Sequence, residues 1–203
     1  MANKSENVKS LKKKEFPLTV VFVRHAQACP RDADKESDPH LTLLGKRQAA
    51  RVAKRLSNEQ FDHIYISKFR RGYDTARLIL KYHEGVPFTV TKTLNEVMNF
   101  HFIHGAMSTD PHILECVHRE RDTLERFANQ LRHTHKPGEK ILITSHGNFI
   151  RSLIPILGEL DPKESILIDI NNTSVTILEV WPSGNAVLRL ANCVKHLLPK
   201  QIT

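Results

Sequence analysis

Four short segments of this 203-residue chain hold side chains that could together handle a phosphate group. Arg24 and His25 follow the apolar run LTVVFV, and Arg71 closes the segment 67–71. Glu96 ends Leu94-Asn95-Glu96, and His146 lies in Ser145-His146-Gly147. Arginine offers a planar, permanently charged fork matched to phosphate oxygens. A neutral imidazole can attack phosphorus through one ring nitrogen while the other donates to a backbone carbonyl. A carboxyl group lifted toward neutrality by burial can protonate a leaving alkoxide and then activate water. The set therefore suits phosphoryl transfer, in which fixed positive donors meet charge spread over the equatorial oxygens. His25 is the candidate nucleophile, Arg24, Arg71 and His146 the phosphate-holding groups, and Glu96 the candidate acid. Gln27 and Gly147, beside the two histidines, join the substrate-binding set. Each residue alone has a plainer reading: an incidental Arg-His pair, a surface salt-bridge partner, a solvated loop acid. Asn95, Glu84 and Asp110 remain alternatives for the acid role.

The elements needed to bring these segments together are legible as alternating strands and helices. Residues 18–23 form a continuous β-branched run, the pattern of a strand buried on both faces of a parallel sheet. Ala49, Val52, Ala53 and Leu56 recur at helical spacing behind Thr42, a candidate N-cap. FDHIYI (61–66) predicts a second strand, 67–71 a turn, Ala76, Ile79 and Leu80 a helix, and 88–90 a third strand. Asp110-Pro111 predicts a helix start, and Leu124, Phe127, Ala128 and Leu131 its packed stripe. ILIT (141–144) predicts a strand, followed by a helix through Phe149, Ile150, Leu153 and Ile154 that Pro155 bends or shortens. Beyond it ILIDI, SVTILEV and AVLRLA predict sheet strands ending in a hairpin, with turns at Asn171-Asn172 and 182–184. The expected fold is a three-layer α/β/α sandwich with a mostly parallel central sheet, its sites at the carboxyl ends of the strands. The expected division is a flexible basic leader, 1–16, and one domain, 17–203.

Arg24-His25-Ala26-Gln27 resembles the R-H-G-E/Q signature of the histidine phosphatase (phosphoglycerate mutase-like) superfamily. Leu41-Thr42-Leu43-Leu44-Gly45 with Gln48-Ala49 resembles the family's L-T-x-x-G-x-x-Q-A. Residues 67–76 resemble its S-P-L-x-R-A-x-Q-T-A, which places its second arginine at Arg71. Leu94-Asn95-Glu96 and Ser145-His146-Gly147 resemble the acid and second-histidine motifs. The resemblance spans 18–192. The closing pattern from Asn171 to Arg189, with Pro199 and Ile202-Thr203, is most similar to the family's mitochondrial serine/threonine protein-phosphatase branch. Departures are Ala26 for glycine, Lys68-Phe69 for proline-leucine, Gly72 for alanine and Asp74 for glutamine, all beside the catalytic positions. The resemblance implies metal-independent phosphomonoester hydrolysis through phosphohistidine, with a phosphoserine or phosphothreonine protein as first substrate and a sugar phosphate or bisphosphate as second. A phosphoglycerate-type mutase and a non-catalytic phosphate-binding scaffold are the competing readings. Mutases of the family carry a sizeable insertion after the acid, whereas here 97–110 is nearly all that precedes the next helix.

Composition narrows the rest. A net charge of +8 and 26% charged residues fit a soluble domain attracted to anions. No aromatic-basic motif accompanies the charge, so nucleic acid is not expected, and no run is long enough to span a membrane. Cys29, Cys116 and Cys193 are odd in number and widely spaced, which points to a reducing intracellular compartment, cytoplasmic first with a mitochondrial location open. His101, His104, His112, His118, His133 and His135 lack zinc-ligand spacing, and neither metal nor cofactor is expected. A phosphorylated substrate is the expected partner, and homo-oligomerisation is open. The entrance is expected between the loops 29–40 and 97–110.

Overall fold

The computed structural model describes residues 15–29, 38–97, 110–160 and 168–203. The leader up to Lys14, most of both entrance loops, Ile166 and Leu167 lie outside the described residues, with His101 and His104. Six strands are described: β1 Leu18–Arg24, β2 His63–Ser67, β3 Phe88–Thr91, β4 Lys140–Ser145, β5 Val175–Val180 and β6 Ala186–Cys193. Four helices accompany them: α1 Leu43–Leu56, α2 Arg70–Leu80, α3 Pro111–Thr134 and α4 Gly147–Leu157. The sheet order is β3-β2-β4-β1-β5-β6, with β3, β2, β4 and β1 parallel and β5 antiparallel to both its neighbours.

The period-two alternation of β1 divides the core. Val20 and Phe22 face a cluster with Leu124, Phe127, Leu131, Phe149 and Leu153 of α3 and α4. Val21 and Val23 face Val52, Ala53, Leu56, Ala76 and Ile79 of α1 and α2. Both faces of the strand are dry, as its unbroken apolar run requires. The stripe expected on α3, Leu124 to Leu131, is the buried face of that helix. Thr42 caps α1 by accepting from the Gly45 N–H at 2.9 Å, and Asp110 caps α3 by accepting from His112 N–H at 2.9 Å.

Two expectations change. The segment 67–71 is no separate turn, because Ser67 ends β2 and α2 starts at Arg70. Pro155 lies inside its helix, which ends two residues later at Leu157 with Gly158 as its cap. The described part of ILIDI, 168–170, is not a strand. Its carbonyls are taken by side chains: Ile168 O accepts from Arg151 Nε at 2.6 Å and Ile170 O from Arg24 Nη1 at 2.5 Å. Those side-chain bonds compete with ladder pairing for the same carbonyls.

One close approach couples the fold to the site. A Cβ built on Gly45 in the first turn of α1 would lie 1.9 Å from the carbonyl oxygen of Gln27, which follows β1. Only glycine lets the helix rest on that backbone. Gly45→Ala should therefore cost about 2 kcal/mol and lower Tm by about 5 °C, read by thermal unfolding. An unchanged Tm would overturn this reading of Gly45.

Candidate active site

Parallel pairing of β1 with β4 sets Arg24 opposite Ser145, and the residue after each is histidine. His25 N–H donates to Ser145 O at 2.8 Å, and the two imidazoles lie 5.0 Å apart between centroids. β2 lies on the other side of β4 and ends at Ser67, which delivers Arg71 on the first turn of α2. Beyond β3, a 3-10 turn at Lys92–Leu94 leads to Glu96, and Ser145 Oγ donates to Leu94 O at 2.7 Å, pinning that turn to β4. Four strand ends thus bring Arg24, His25, Arg71, Glu96 and His146 to one rim.

The hydrogen bonds assign the tautomer of His25. Its Nδ1–H donates to Ala26 O at 2.8 Å, and Arg71 Nε donates to its Nε2 at 3.3 Å. Nε2 is therefore unprotonated, its lone pair directed to the arginine side. Burial lowers the imidazole pKa to about 3, with the charges of Arg24 and Arg71 adding to the shift and the Ala26 hydrogen bond opposing it. Asn172 Nδ2 donates to His25 O at 2.8 Å and holds the backbone from the other side.

His146 is fully buried, edge-on to Phe69. Its Nε2 lies 2.7 Å from Ser67 Oγ, and that hydroxyl donates to Asn95 Oδ1 at 3.1 Å, so the imidazole is the donor in the pair. Nδ1 of His146 and Nε of Arg24 are buried and have no hydrogen-bond partner among the described residues. The first lacks a donor and the second an acceptor, and a phosphate bearing one proton would supply both. Burial, then His25, Arg71 and Arg24, push the His146 pKa down, so this ring too is neutral before an anion arrives.

Glu96 is half-buried. Its Oε1 accepts from Phe149 N–H at 3.1 Å and Val97 N–H at 3.3 Å, placing the carboxylate at the start of α4. Burial raises its pKa against the lowering by those hydrogen bonds and by Arg24 and Arg71. That is the direction a general acid requires. Of the alternatives, Asn95 belongs to the Ser67 network, Asp110 caps α3, and Glu84 lies beyond the far end of α2, whose stretch from Arg71 to Leu80 alone extends about 14 Å.

A cleft of about 220 Å³ is lined by Arg24, His25, Gln27, Ala28, Cys29, Pro39, Arg71 and Asn172. Gln27 is oriented by Thr42, whose hydroxyl donates to its Oε1 at 2.7 Å. Gly147 lies beside the Arg24 guanidinium rather than on the cleft wall, a built Cβ falling 3.5 Å from Nε. Sequence reasoning missed Asn172, taken for a turn residue, and Ser67 as the partner of His146. It also missed Asp38, whose Oδ2 accepts from Arg70 N–H at 2.7 Å while its Oδ1 lies 3.5 Å from Arg71 Nη1. Only the amide pair Asn171-Asn172 after an apolar run gave any signal. Among the described residues no three His, Cys, Asp or Glu form a metal-binding group, and no helix is long and apolar enough to cross a membrane.

Two measurements follow from these assignments. Long-range ¹H–¹⁵N spectra should show His25 as the Nδ1–H tautomer, with no titration from about pH 8 to about pH 5. Because its pKa in the fold lies below the ordinary 6.5, acid favours the unfolded chain. The stability linked to this group is complete above about pH 6.5 and falls as pH drops toward about 3. His25→Asn should flatten that part of the acid dependence. Ser67→Ala should lower kcat on the order of tenfold with little change in KM, since it removes the acceptor that orients His146.

Known proteins resemble this chain in sequence and in fold. Residues 20–193 match the family described as histidine phosphatase superfamily (branch 1). The serine/threonine-protein phosphatase Pgam5, mitochondrial, of Caenorhabditis briggsae is 28% identical over 191 residues, covering 91% of this chain and 66% of that protein. Phosphoglycerate mutase-like protein 4 of Arabidopsis thaliana is 26% identical over 202 residues, covering 88% of this chain and 86% of its own. The chain thus spans about two thirds of the length of the nematode relative. Among solved structures, a putative alpha-ribazole-5'-P phosphatase from Escherichia coli superposes with a TM-score of 0.70 at 19% identity, over 87% of this chain and 97% of that one. A mycobacterial glucosyl-3-phosphoglycerate phosphatase gives 0.68 at 19% identity over 87% and 99%. The chain belongs to the histidine phosphatase superfamily, branch 1, and is a histidine-type phosphatase.

Proposed function

We propose that the chain hydrolyses phosphomonoesters without a metal, through a phosphohistidine at Nε2 of His25, and that its substrate is a phosphoserine or phosphothreonine protein. The observation that carries the chemistry is the buried neutral His25, its Nδ1–H committed to Ala26 O and its Nε2 facing Arg71. The Nε2 lone pair attacks phosphorus as the ester P–O bond breaks. The leaving oxygen takes the proton of the Glu96 carboxyl. Glu96, now a carboxylate, removes a proton from water, whose oxygen attacks phosphorus as the P–N bond breaks and inorganic phosphate leaves. Arg24 and Arg71 hold the equatorial oxygens throughout, supplying the charge stabilisation that a metal provides elsewhere. His146 meets the phosphate through Nδ1. With Nε2–H given to Ser67, it donates there only when it carries a second proton, which a phosphate monoanion brings.

The protein substrate rests on likeness to the mitochondrial protein phosphatases, whose name also sets a mitochondrial location against the cytoplasmic reading. A small-molecule phosphatase is the second reading. It is favoured by the fold neighbours, among them a phosphoserine phosphatase from Entamoeba histolytica at TM-score 0.66 and 22% identity.

The test is a panel of phosphopeptides and metabolite phosphates, assayed with and without chelator, with His25→Ala as the blank. Activity should vanish in the blank and persist with chelator, and a rapid quench should trap acid-labile, base-stable phosphate on the wild-type chain. Turnover surviving in His25→Ala would overturn the mechanism. Glu96→Gln should slow kcat by roughly a hundredfold or more. Because burial raises the Glu96 pKa, the acid form persists to higher pH and kcat falls as pH rises through that pKa. The Gln variant should lack this alkaline limb.

A further inference from the structure

α1 and α2 both begin at the cleft and run away from it, each following the carboxyl end of a parallel strand. They pack side by side on one face of the sheet. The outward face of α1 presents Leu43, Lys46, Arg47, Ala50, Arg51 and Lys54, the spacing of a single helix stripe. No aspartate or glutamate occurs anywhere in α1. Beside it α2 exposes Arg70, Tyr73 and Arg77, and its one acid, Asp74, lies 3.9 Å from Arg70. Fourteen residues of α1 extend about 21 Å, so a cationic surface spreads about that far from the phosphate site. Its near end is marked by two exposed apolar side chains, Leu43 at 76% and Tyr73 at 40% exposure.

We propose that this two-helix face receives an acidic stretch of a phosphoprotein, running outward from the phosphoresidue seated at His25. The inference rests on the phosphoprotein reading and adds to it a preference for acidic flanks. Charge complementarity and continuity with the cleft carry it. A substrate fixed at its phosphate can lay its next residues along the rim, and on the α1–α2 side of that rim the described cations outnumber the acids, Asp38 and Asp74. Six extended residues span about 20 Å, the length of the stripe. An anionic membrane fits less well, because Leu43 is the only large apolar side chain that α1 exposes and a membrane-lying helix needs an apolar face.

The test uses the whole chain and three substrates: a phosphoserine peptide flanked by six acidic residues, the same peptide with neutral flanks, and p-nitrophenyl phosphate. The acidic flanks should lower KM on the order of tenfold, since several exposed ion pairs each change affinity by about two- to fivefold. Raising ionic strength should close the gap. The triple variant Lys46→Gln, Arg47→Gln, Lys54→Gln should also close it while leaving p-nitrophenyl phosphate turnover unchanged. Equal KM for the two peptides on the wild-type chain, a gap that survives salt, or a gap retained by the triple variant would overturn the inference while leaving the phosphoprotein reading intact. Failure to hydrolyse either peptide while p-nitrophenyl phosphate turns over would overturn both. The salt titration needs no substitution, so it decides even if the variant folds poorly. Binding of the stripe to anionic vesicles, with no preference between the peptides, would assign the surface to a membrane instead.

Discussion

Two imidazoles and two guanidiniums crowd the ends of β1, β2 and β4, and before an anion binds the imidazoles are neutral while the guanidiniums keep their charge. Burial does this selectively. It costs a histidine its proton because the ordinary pKa lies near neutrality, while arginine keeps its charge after a far larger shift. Removing His25 from water lowers its pKa to about 3 and leaves a lone pair on Nε2 at any physiological pH. The parallel register of β1 with β4 makes the arrangement inescapable, because pairing Arg24 with Ser145 forces the following histidines together.

Holding cations in such a place has a stability cost that the surroundings only partly offset. Glu96 and Asp38 lend negative charge, and the carbonyl of Ile170 accepts from Arg24. Buried polar atoms still lack partners at Arg24 Nε and His146 Nδ1 among the described residues. Unmet polar groups of this kind are ones an anionic ligand could satisfy. The C-terminal residues brace the other side. Gln48 Nε2 donates to Gln201 O at 2.7 Å, Asn172 N–H donates to Thr203 O at 2.8 Å, and Asn172 in turn holds His25 O.

Much of this was visible in the chain because strands buried on both faces and amphipathic helices leave strong periodic signatures. β1, β4 and the stripe of α3 were each expected where they occur. The segment 168–170 misled because apolar alternation reports burial, not pairing, and its carbonyls are consumed by Arg151 and Arg24 from distant parts of the chain. Asn172, Ser67 and Asp38 were read as turn, motif or loop residues, since a polar side chain carries no mark of the partner it will meet.

What the sequence determined by itself is the order of elements and the residue types delivered to each strand end, because local periodicity and turn chemistry depend on neighbours in the chain. Only the tertiary structure decided which ring nitrogen of His25 is free, that His146 spends its Nε2–H on Ser67, and that Glu96 sits at the start of α4. The first is a bond to the next residue that only the folded backbone geometry sets, and the other two join residues 79 and 53 positions apart. Hydrogen-bond direction, desolvation and charge depend on distances that exist only once the sheet has closed.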